Sequence, residues 1–411
     1  MTCGRIAAQA HFHNMNIISV LLTKIRNRLL HYGKITKECF LLFLLYPVAV
    51  LKLGRHNRIH IFSERGTDAR DNGFALFKYY RTAHPEIKSY YIIDRKSADY
   101  NKVAALGPTI QYKSLRHYLY FIGAKYKISS HIMGFSPDPM IFIIINKAIR
   151  VPGRQISIRH GVTVNNTPGV YKENTLLDLI CCGAKPEYEF VKEYFHYNEN
   201  EIKYTGLARY DNLQSFQTKQ FVLVMPTWRV YFNRLNEEEF RECDYYKQWS
   251  AVLRNEKLHQ VLKQFNLKLV FYPHYEMQKY VKLFQMDCNE VVIADFNHYD
   301  VQQLLKEANL LVTDFSSVFF DFAYMMKPAV YFQFDAERFH SQHYQEGYFS
   351  FREMGFGEVF DTPEDVCEDI VQYCRSGFRM NEKYIERAKR FFVLHDDKNS
   401  ERIFEEIEKL S

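Results

Sequence analysis

Three short stretches of this chain carry residue types suited to phosphate chemistry. In Leu310-Leu311-Val312-Thr313-Asp314-Phe315-Ser316-Ser317 an apolar run ends in hydroxyls and a carboxylate, and an apolar-rich segment beginning Val318-Phe319-Phe320 follows. That order reads as a buried strand feeding a tight turn into a helix. Such a turn aims Ser hydroxyls and free backbone N–H groups at one spot, which suits a phosphate. His160-Gly161 and Pro273-His274 each follow a predicted strand. Imidazoles take up and release protons near neutral pH, so two of them supply the acid–base part of phosphate transfer to a hydroxyl. Plainer readings stand beside these. His160 can cap a turn, His274 can sit on an exposed loop, and Thr313–Ser317 can be an ordinary helix N-cap. With 16 histidines in the chain, position after a strand end is what singles out these two.

From residue 59 onward, short apolar runs alternate with helical stretches. His60–Ser63, Tyr90–Asp94, Thr109–Tyr112, Tyr126–Ser129, Gln155–Ile158 and Leu176–Cys182 read as strands, with helices over 74–82 and 188–195. A second series reads as strands at Phe221–Met225, Leu267–Tyr272, Val291–Ala294, Leu310–Thr313 and Ala329–Phe332. Its helices are expected over 236–264, 276–286, 300–307 and 317–326. Helices between short apolar strands predict parallel sheets covered on both faces. The polar segment 208–220 marks the boundary between two Rossmann-like domains. The layout is a basic and apolar segment over 1–58, a first domain over 59–207, a second over 208–375, and C-terminal helices over 376–411. Ligands of such sheets bind outside the carboxyl ends of the strands, where every motif above falls.

At 411 residues the chain is comfortable for two domains, and 47% hydrophobic with 25% charged residues is a globular composition. A net charge of +6 admits anionic substrates or an anionic membrane surface but lacks the dense basic stripe of a nucleic-acid binder. The eight cysteines form no C-x-x-C pair, which argues for free thiols in a reducing cytoplasm and against zinc or a disulfide framework. No P-loop, H-E-x-x-H or paired-Asp metal signature occurs, so no metal site or cofactor is expected. Cys39–Leu51 is an uncharged run of about thirteen residues, short of the roughly twenty that span a bilayer. Lys24, Arg26, Arg28, Lys34, Lys37, Lys52, Arg55 and Arg58 surround it. That pattern predicts docking on an anionic leaflet without crossing it; a buried helix of the first domain is the alternative.

Taken in order, several segments resemble the CDP-glycerol glycerophosphotransferase family, which includes teichoic acid and capsule polymerases and primases. They are Ser63-Glu64-Arg65-Gly66-Thr67-Asp68-Ala69-Arg70-Asp71-Asn72-Gly73, Arg159-His160-Gly161, Pro226-Thr227-Trp228-Arg229, Tyr272-Pro273-His274, the Thr313–Ser317 turn and Asp397-Lys398-Asn399-Ser400-Glu401-Arg402. The resemblance implies a GT-B fold, two Rossmann-like domains facing a cleft. It implies attack of an acceptor hydroxyl on the β-phosphorus of CDP-glycerol, with CMP leaving. His160 is then the candidate base on the acceptor side, and His274 a donor to the pyrophosphate. Thr313, Asp314, Ser316 and Ser317 are candidate donor-phosphate residues, with Thr313 or Asp314 alternatively orienting the turn. Arg229 joins them because its planar fork suits phosphate oxygens. Trp228 can stack on a base or fill the core. Asp68, Arg70 and Asn72 are candidate acceptor-binding residues, or a polar surface loop. A loosely bound Mg²⁺ on the pyrophosphate is compatible with all of this. The expected partners are CDP-glycerol or CDP-ribitol and a lipid-linked teichoic acid or capsule polymer, met at the cytoplasmic face of the cell membrane. Two other readings are a GT-B glycosyltransferase using a nucleotide sugar, and a membrane-bound scaffold, which has no use for two such histidines and the turn.

Overall fold

Two series of short strands, six of them buried along their whole length, build two parallel sheets. The computed structural model describes residues 30–54, 57–295, 298–342 and 347–410. The first sheet takes β1 (His60–Ser63), β2 (Ser89–Ile93), β3 (Thr109–Gln111), β4 (Tyr126–Ser129), β5 (Arg154–Ser157), β6 (Leu179–Cys182) and β7 (Ile202–Tyr204) in the order β3-β2-β1-β4-β5-β6-β7. The second takes β8 (Phe221–Met225), β9 (Lys268–Phe271), β10 (Val291–Ile293), β11 (Leu310–Thr313), β12 (Ala329–Phe332) and β13 (Gly357–Phe360) in the order β10-β9-β8-β11-β12-β13. The central strands β1, β4, β8 and β11 are buried at every residue, as expected where both faces carry helices.

Both sheets reverse their strand order beside their first strand, β1 between β2 and β4, and β8 between β9 and β11. That switch opens a crevice at the carboxyl ends of the strands. Register fixes which loops share it: Ser63 pairs level with Ser129 and Ser157, and Thr313 level with Met225. The loops after β1, β4 and β5 therefore leave the first sheet at one height, as do those after β8 and β11 in the second.

Local chemistry corrects several expected boundaries. The single helix expected over 236–264 is three helices, Glu237–Glu242, Asp244–Leu253 and Glu256–Gln264. Cys243 is extended, and Asn255 caps the third helix by accepting from the Leu258 N–H at 2.9 Å. The stretch expected as a helix over 276–286 is a 3₁₀ helix, Tyr275–Phe284. The helix after the Thr313–Ser317 turn covers only Phe319–Tyr324.

The chain ends by crossing back. Helix Asn399–Glu408 lays Ile403 and Ile407 into the first domain's core with Phe62 and Phe77. The joint is the 397–402 run itself. Asp211 accepts the backbone N–H of Asn399 at 2.8 Å and of Ser400 at 2.9 Å, while Arg402 donates to Asp396 and to the Thr205 carbonyl.

At the other end, residues 30–53 form a helix with one buried and one exposed face. Leu45 and Ala49 are buried against Ile122, and the buried Glu38 accepts from the Tyr118 hydroxyl at 2.8 Å. The opposite face leaves Phe40, Phe43, Leu44 and Leu51 exposed. Among the described residues no helix is long and apolar enough to cross a membrane. Lys24, Arg26, Arg28 and Arg55 lie outside the described residues.

Candidate active site

The loop after β1 is organised by a carboxylate. Glu64, buried at the strand end, accepts the backbone N–H groups of Arg70 (2.9 Å), Asp71 (2.9 Å) and Phe74 (3.0 Å). The last two, from the N-cap and the third helical residue, are among the orphan donors that open helix Asn72–Ala83. Gly73 lets that helix start against β1, since a Cβ there would lie 2.9 Å from the Glu64 side chain. Beyond it, Asn72 is fully buried and joins three segments. Its amide donates to the Arg159 carbonyl at 2.9 Å and its oxygen accepts the Arg209 N–H at 2.9 Å.

Arg209 extends this frame into the second domain. Its guanidinium forks onto Asp321 at 2.9 and 2.7 Å, and its third nitrogen donates to Asp71 at 2.8 Å and to the His160 carbonyl at 2.6 Å. Asp321 lies on helix Phe319–Tyr324, directly after the hydroxyl turn. One buried side chain thus ties the backbone of His160 to the opposite domain. The surrounding acids hold its pKa above the ordinary guanidinium value despite the opposing cost of burial, so it stays charged.

His160 itself is exposed in the cleft. Its ring stacks on His131, the second residue after β4, with centroids 5.2 Å apart and planes 21° apart. The protein around the cleft first, then the charges of His131, Arg159, Arg209 and Arg65, lower its pKa; water reaching the ring moderates the first cause. The imidazole is neutral at pH 7 and able to accept a proton. Arg159, not Gly161, takes the left-handed backbone here, at φ 54°.

In the second domain the Thr313–Ser317 turn has an inside and an outside. Thr313 and Asp314 are fully buried. The Thr313 hydroxyl donates to the Met225 carbonyl at 2.6 Å. Asp314 accepts the N–H groups of Thr227 (2.7 Å) and Phe315 (2.6 Å) and pairs with Arg229 at 2.9 Å. Arg229 is wholly buried, forks onto Asp335 at 2.9 Å through two nitrogens, and donates to the Thr227 carbonyl at 2.8 Å. Its guanidinium lies beside the stacked pair Phe315 and Phe339, 5.2 and 4.8 Å from the two ring centroids. Ser316 and Ser317 are the outside, half-buried and exposed, and neither hydroxyl has a hydrogen-bond partner among the described residues. Trp228 packs on the core and also stacks near His274, at 6.3 Å and 24°. His274 is half-buried, and its Nδ1 accepts the Glu276 N–H at 3.3 Å. That contact places the proton of the neutral ring on Nε2.

The two halves meet where His160 and the turn approach. A Cβ built on Gly161 would lie 3.5 Å from Ser317 Oγ and 4.0 Å from an Arg209 nitrogen. The loop of a proton acceptor, the open hydroxyl of Ser317 and a buried cation therefore meet between the domains, which fits a hydroxyl attacking a phosphate.

The sequence expectations divide accordingly. His160 and Ser317 lie at the meeting point, Ser316 precedes Ser317 on the same turn, and His274 follows the neighbouring strand β9. Thr313, Asp314 and Arg229 do not present themselves as phosphate ligands, because their polar atoms are directed into the protein and fix the turn from behind. Asn72 is likewise an internal strut rather than a ligand. Asp68 pairs with Arg65, and Arg70 donates to Asp99 at 2.8 Å while keeping a partly exposed edge. Two residues escaped sequence reasoning. His131 follows β4 just as His160 follows β5, so the same strand-end rule finds it. Arg209 lay in a segment read as a polar linker.

Comparison with known proteins decides the family. The family model described as CDP-Glycerol:Poly(glycerophosphate) glycerophosphotransferase matches residues 44–409. The chain belongs to this family. Among curated proteins, it is 31% identical over 360 residues to the minor teichoic acid biosynthesis protein GgaB of Bacillus subtilis (strain 168), covering 85% of this chain and 39% of that one. It is 24% identical over 410 residues to the teichoic acid poly(glycerol phosphate) polymerase of the same organism, covering 93% of this chain and 52% of that one. The chain thus spans about half or less of these two relatives. Among solved structures, a variant of the wall teichoic acid polymerase TagF soaked with CDPG superposes with a TM-score of 0.67 at 16% identity, covering 94% of this chain and 99% of that chain. A putative UDP-N-acetylglucosamine 2-epimerase from Listeria monocytogenes follows with a TM-score of 0.53 at 12% identity, covering 86% and 95%. At such identities the likeness is one of fold, and it is GT-B-like.

Proposed function

We propose that this chain transfers glycerol phosphate from CDP-glycerol to a hydroxyl of a teichoic acid acceptor, releasing CMP. The observation that carries the reading is the approach of Gly161, beside His160, to Ser317 across the cleft. Family membership supports the donor. In the proposed reaction His160 takes the proton of the acceptor hydroxyl as its oxygen bonds to the β-phosphorus. The bond from that phosphorus to the bridging oxygen breaks, and CMP leaves with the bridging oxygen. Ser316 and Ser317 hold the phosphate oxygens, and His274 donates to the pyrophosphate as charge builds on the leaving side. Arg209 holds the His160 backbone at its carbonyl, while Asp314 and Arg229 keep the turn in shape.

The test is CMP release from CDP-glycerol, CDP-ribitol and a panel of nucleotide sugars with a teichoic acid acceptor. Turnover with CDP-glycerol, cut about a hundredfold or more in His160→Ala, is the expected outcome. Turnover confined to CDP-ribitol would make the donor ribitol-linked; turnover confined to a nucleotide sugar would replace the reading with glycosyl transfer.

The same proposal places the protein on the cytoplasmic side of an anionic membrane. The apolar face of helix 30–53, with Phe43 81% and Leu51 84% exposed, and the basic residues Lys34, Lys37 and Lys52 on that helix support it. Liposome flotation should show binding that weakens with salt, and no binding of the full chain to anionic vesicles would refute it.

A further inference from the structure

A second polar cavity lies between the domains, beside the meeting point and apart from the hydroxyl turn. It measures about 230 Å³, and its lining includes Arg70, Lys78, Lys102 and Arg209 from the first domain side and Asp300 and Lys306 from the second. It adjoins both histidine-bearing loops: Arg209 donates to the His160 carbonyl, and Arg70 lies near Tyr272, two residues before His274.

The acids around this cavity are already engaged. Asp71 accepts from Arg209 at 2.8 Å, Asp99 from Arg70 at 2.8 Å, and Asp300 caps its helix by accepting the Gln303 N–H at 3.0 Å. The amines are less committed. Lys78, on helix Asn72–Ala83, and Lys306, on helix Val301–Glu307, make no ion pair among the described residues although both line the cavity. Two unneutralised ammonium groups, one from each domain, facing a shared polar space form a site for an anion that bridges the domains. The hydroxyl turn provides for a phosphate near the reacting atom; this cavity provides for more negative charge further along.

We propose that the cavity holds phosphodiester groups of the acceptor polymer behind its reacting hydroxyl, with Lys78 and Lys306 as the main contacts. The inference rests on the proposed transfer to a poly(glycerol phosphate)-type acceptor, and it makes the site selective for acceptors that already carry several phosphates. Lys is suited to the task as a mobile point charge, able to follow a flexible chain that moves on after each addition.

The experiment uses the full chain, saturating CDP-glycerol and two synthetic acceptors, one with a single phosphate and one with many glycerol phosphate repeats. In Lys78→Glu/Lys306→Glu the KM for the long acceptor should rise at least tenfold and the preference for long over short should collapse, while the KM for CDP-glycerol stays put. Lys78→Ala/Lys306→Ala should move the same way by less, which guards against a folding defect in the charge reversal. Added salt should raise the long-acceptor KM of the unaltered protein more than that of the alanine pair. An unchanged long-acceptor KM in both variants would overturn the inference, as would a rise in donor KM alone, which would assign the cavity to the nucleotide. Absence of CMP release by the unaltered protein with either acceptor would overturn the functional reading and this inference with it.

Discussion

Replacing Arg209 separates two consequences that most active-site substitutions confound. In Arg209→Met the aliphatic volume is roughly kept, but four charge-assisted contacts go: two to Asp321, one to Asp71 and one to the His160 carbonyl. Asp321 is left 1% exposed with no cation against it, and breaking a buried pair from one side costs about 3–5 kcal/mol. Against a total stability of about 5–15 kcal/mol, that is a large loss, readable as a lower urea midpoint at unchanged slope. Activity has a separate cause. Without its anchor the His160 backbone can drift, and a displacement of about 1 Å costs roughly a hundredfold in rate. Adding Asp321→Leu removes the stranded carboxylate, so the double variant should regain most of the lost stability. Its turnover should not recover, because nothing then holds the His160 carbonyl. Recovery of both together would mean that Arg209 matters only for folding; a single variant within about 1 kcal/mol of the unaltered protein would refute the energetic argument itself.

Three further outcomes follow from the same geometry. Ser316→Ala/Ser317→Ala should weaken CDP-glycerol binding by roughly 1–3 kcal/mol with little change in unfolding, and calorimetry showing full affinity would remove the hydroxyls from the donor site. Arg229→Met should behave in the opposite way, lowering stability by about 3–5 kcal/mol because Asp314 and Asp335 lose their shared partner; normal melting with a selective loss of donor affinity would restore it as a ligand. His117 is buried with Nδ1 accepting the Lys113 N–H and Nε2 against the Phe135 carbonyl, and burial lowers its pKa to about 4. The unfolded chain therefore binds this proton first as pH falls below about 6.5, so between pH 7 and 5 the native state should lose about 2 kcal/mol through this group. The pH dependence of the urea midpoint should flatten accordingly in His117→Gln.

What could be read before folding was position along the chain, not depth within the fold. The strand ends that carry His160, His274 and Ser316–Ser317 were legible because apolar runs stop abruptly there. Sequence pattern does not distinguish a polar residue facing a cleft from one buried against an opposite charge. Arg229, Asp314 and Asn72 were read as ligands on their chemistry, yet partners as much as 137 positions away draw them inside. Arg209 was missed for the complementary reason, since a charged residue among polar neighbours looks like solvent-facing linker until Asp71 and Asp321 are brought to it. Edge strands β7 and β13 escaped because Ile202-Lys203-Tyr204 and Gly357-Glu358-Val359-Phe360 are only partly buried and show no continuous apolar run. Among the motifs that did stand out, the 397–402 run turned out to be a joint to the segment between the two domains.

The return of helix Asn399–Glu408 to the first domain has a consequence for how the protein is made. The surface that receives Ile403 and Ile407 is complete, in sequence terms, once Ala208 has left the ribosome. Its cover begins at Asn399, nearly two hundred residues later. At about 5–20 residues per second, the first domain waits roughly ten to forty seconds with that apolar groove uncovered. Over this interval the nascent chain presents a sticky face to chaperones and to neighbouring chains, and long-range closure of this kind is slow to be rewarded. Truncation before Asn399 should make the wait permanent, so a shortened chain is expected in the insoluble fraction even though every residue at the cleft is present.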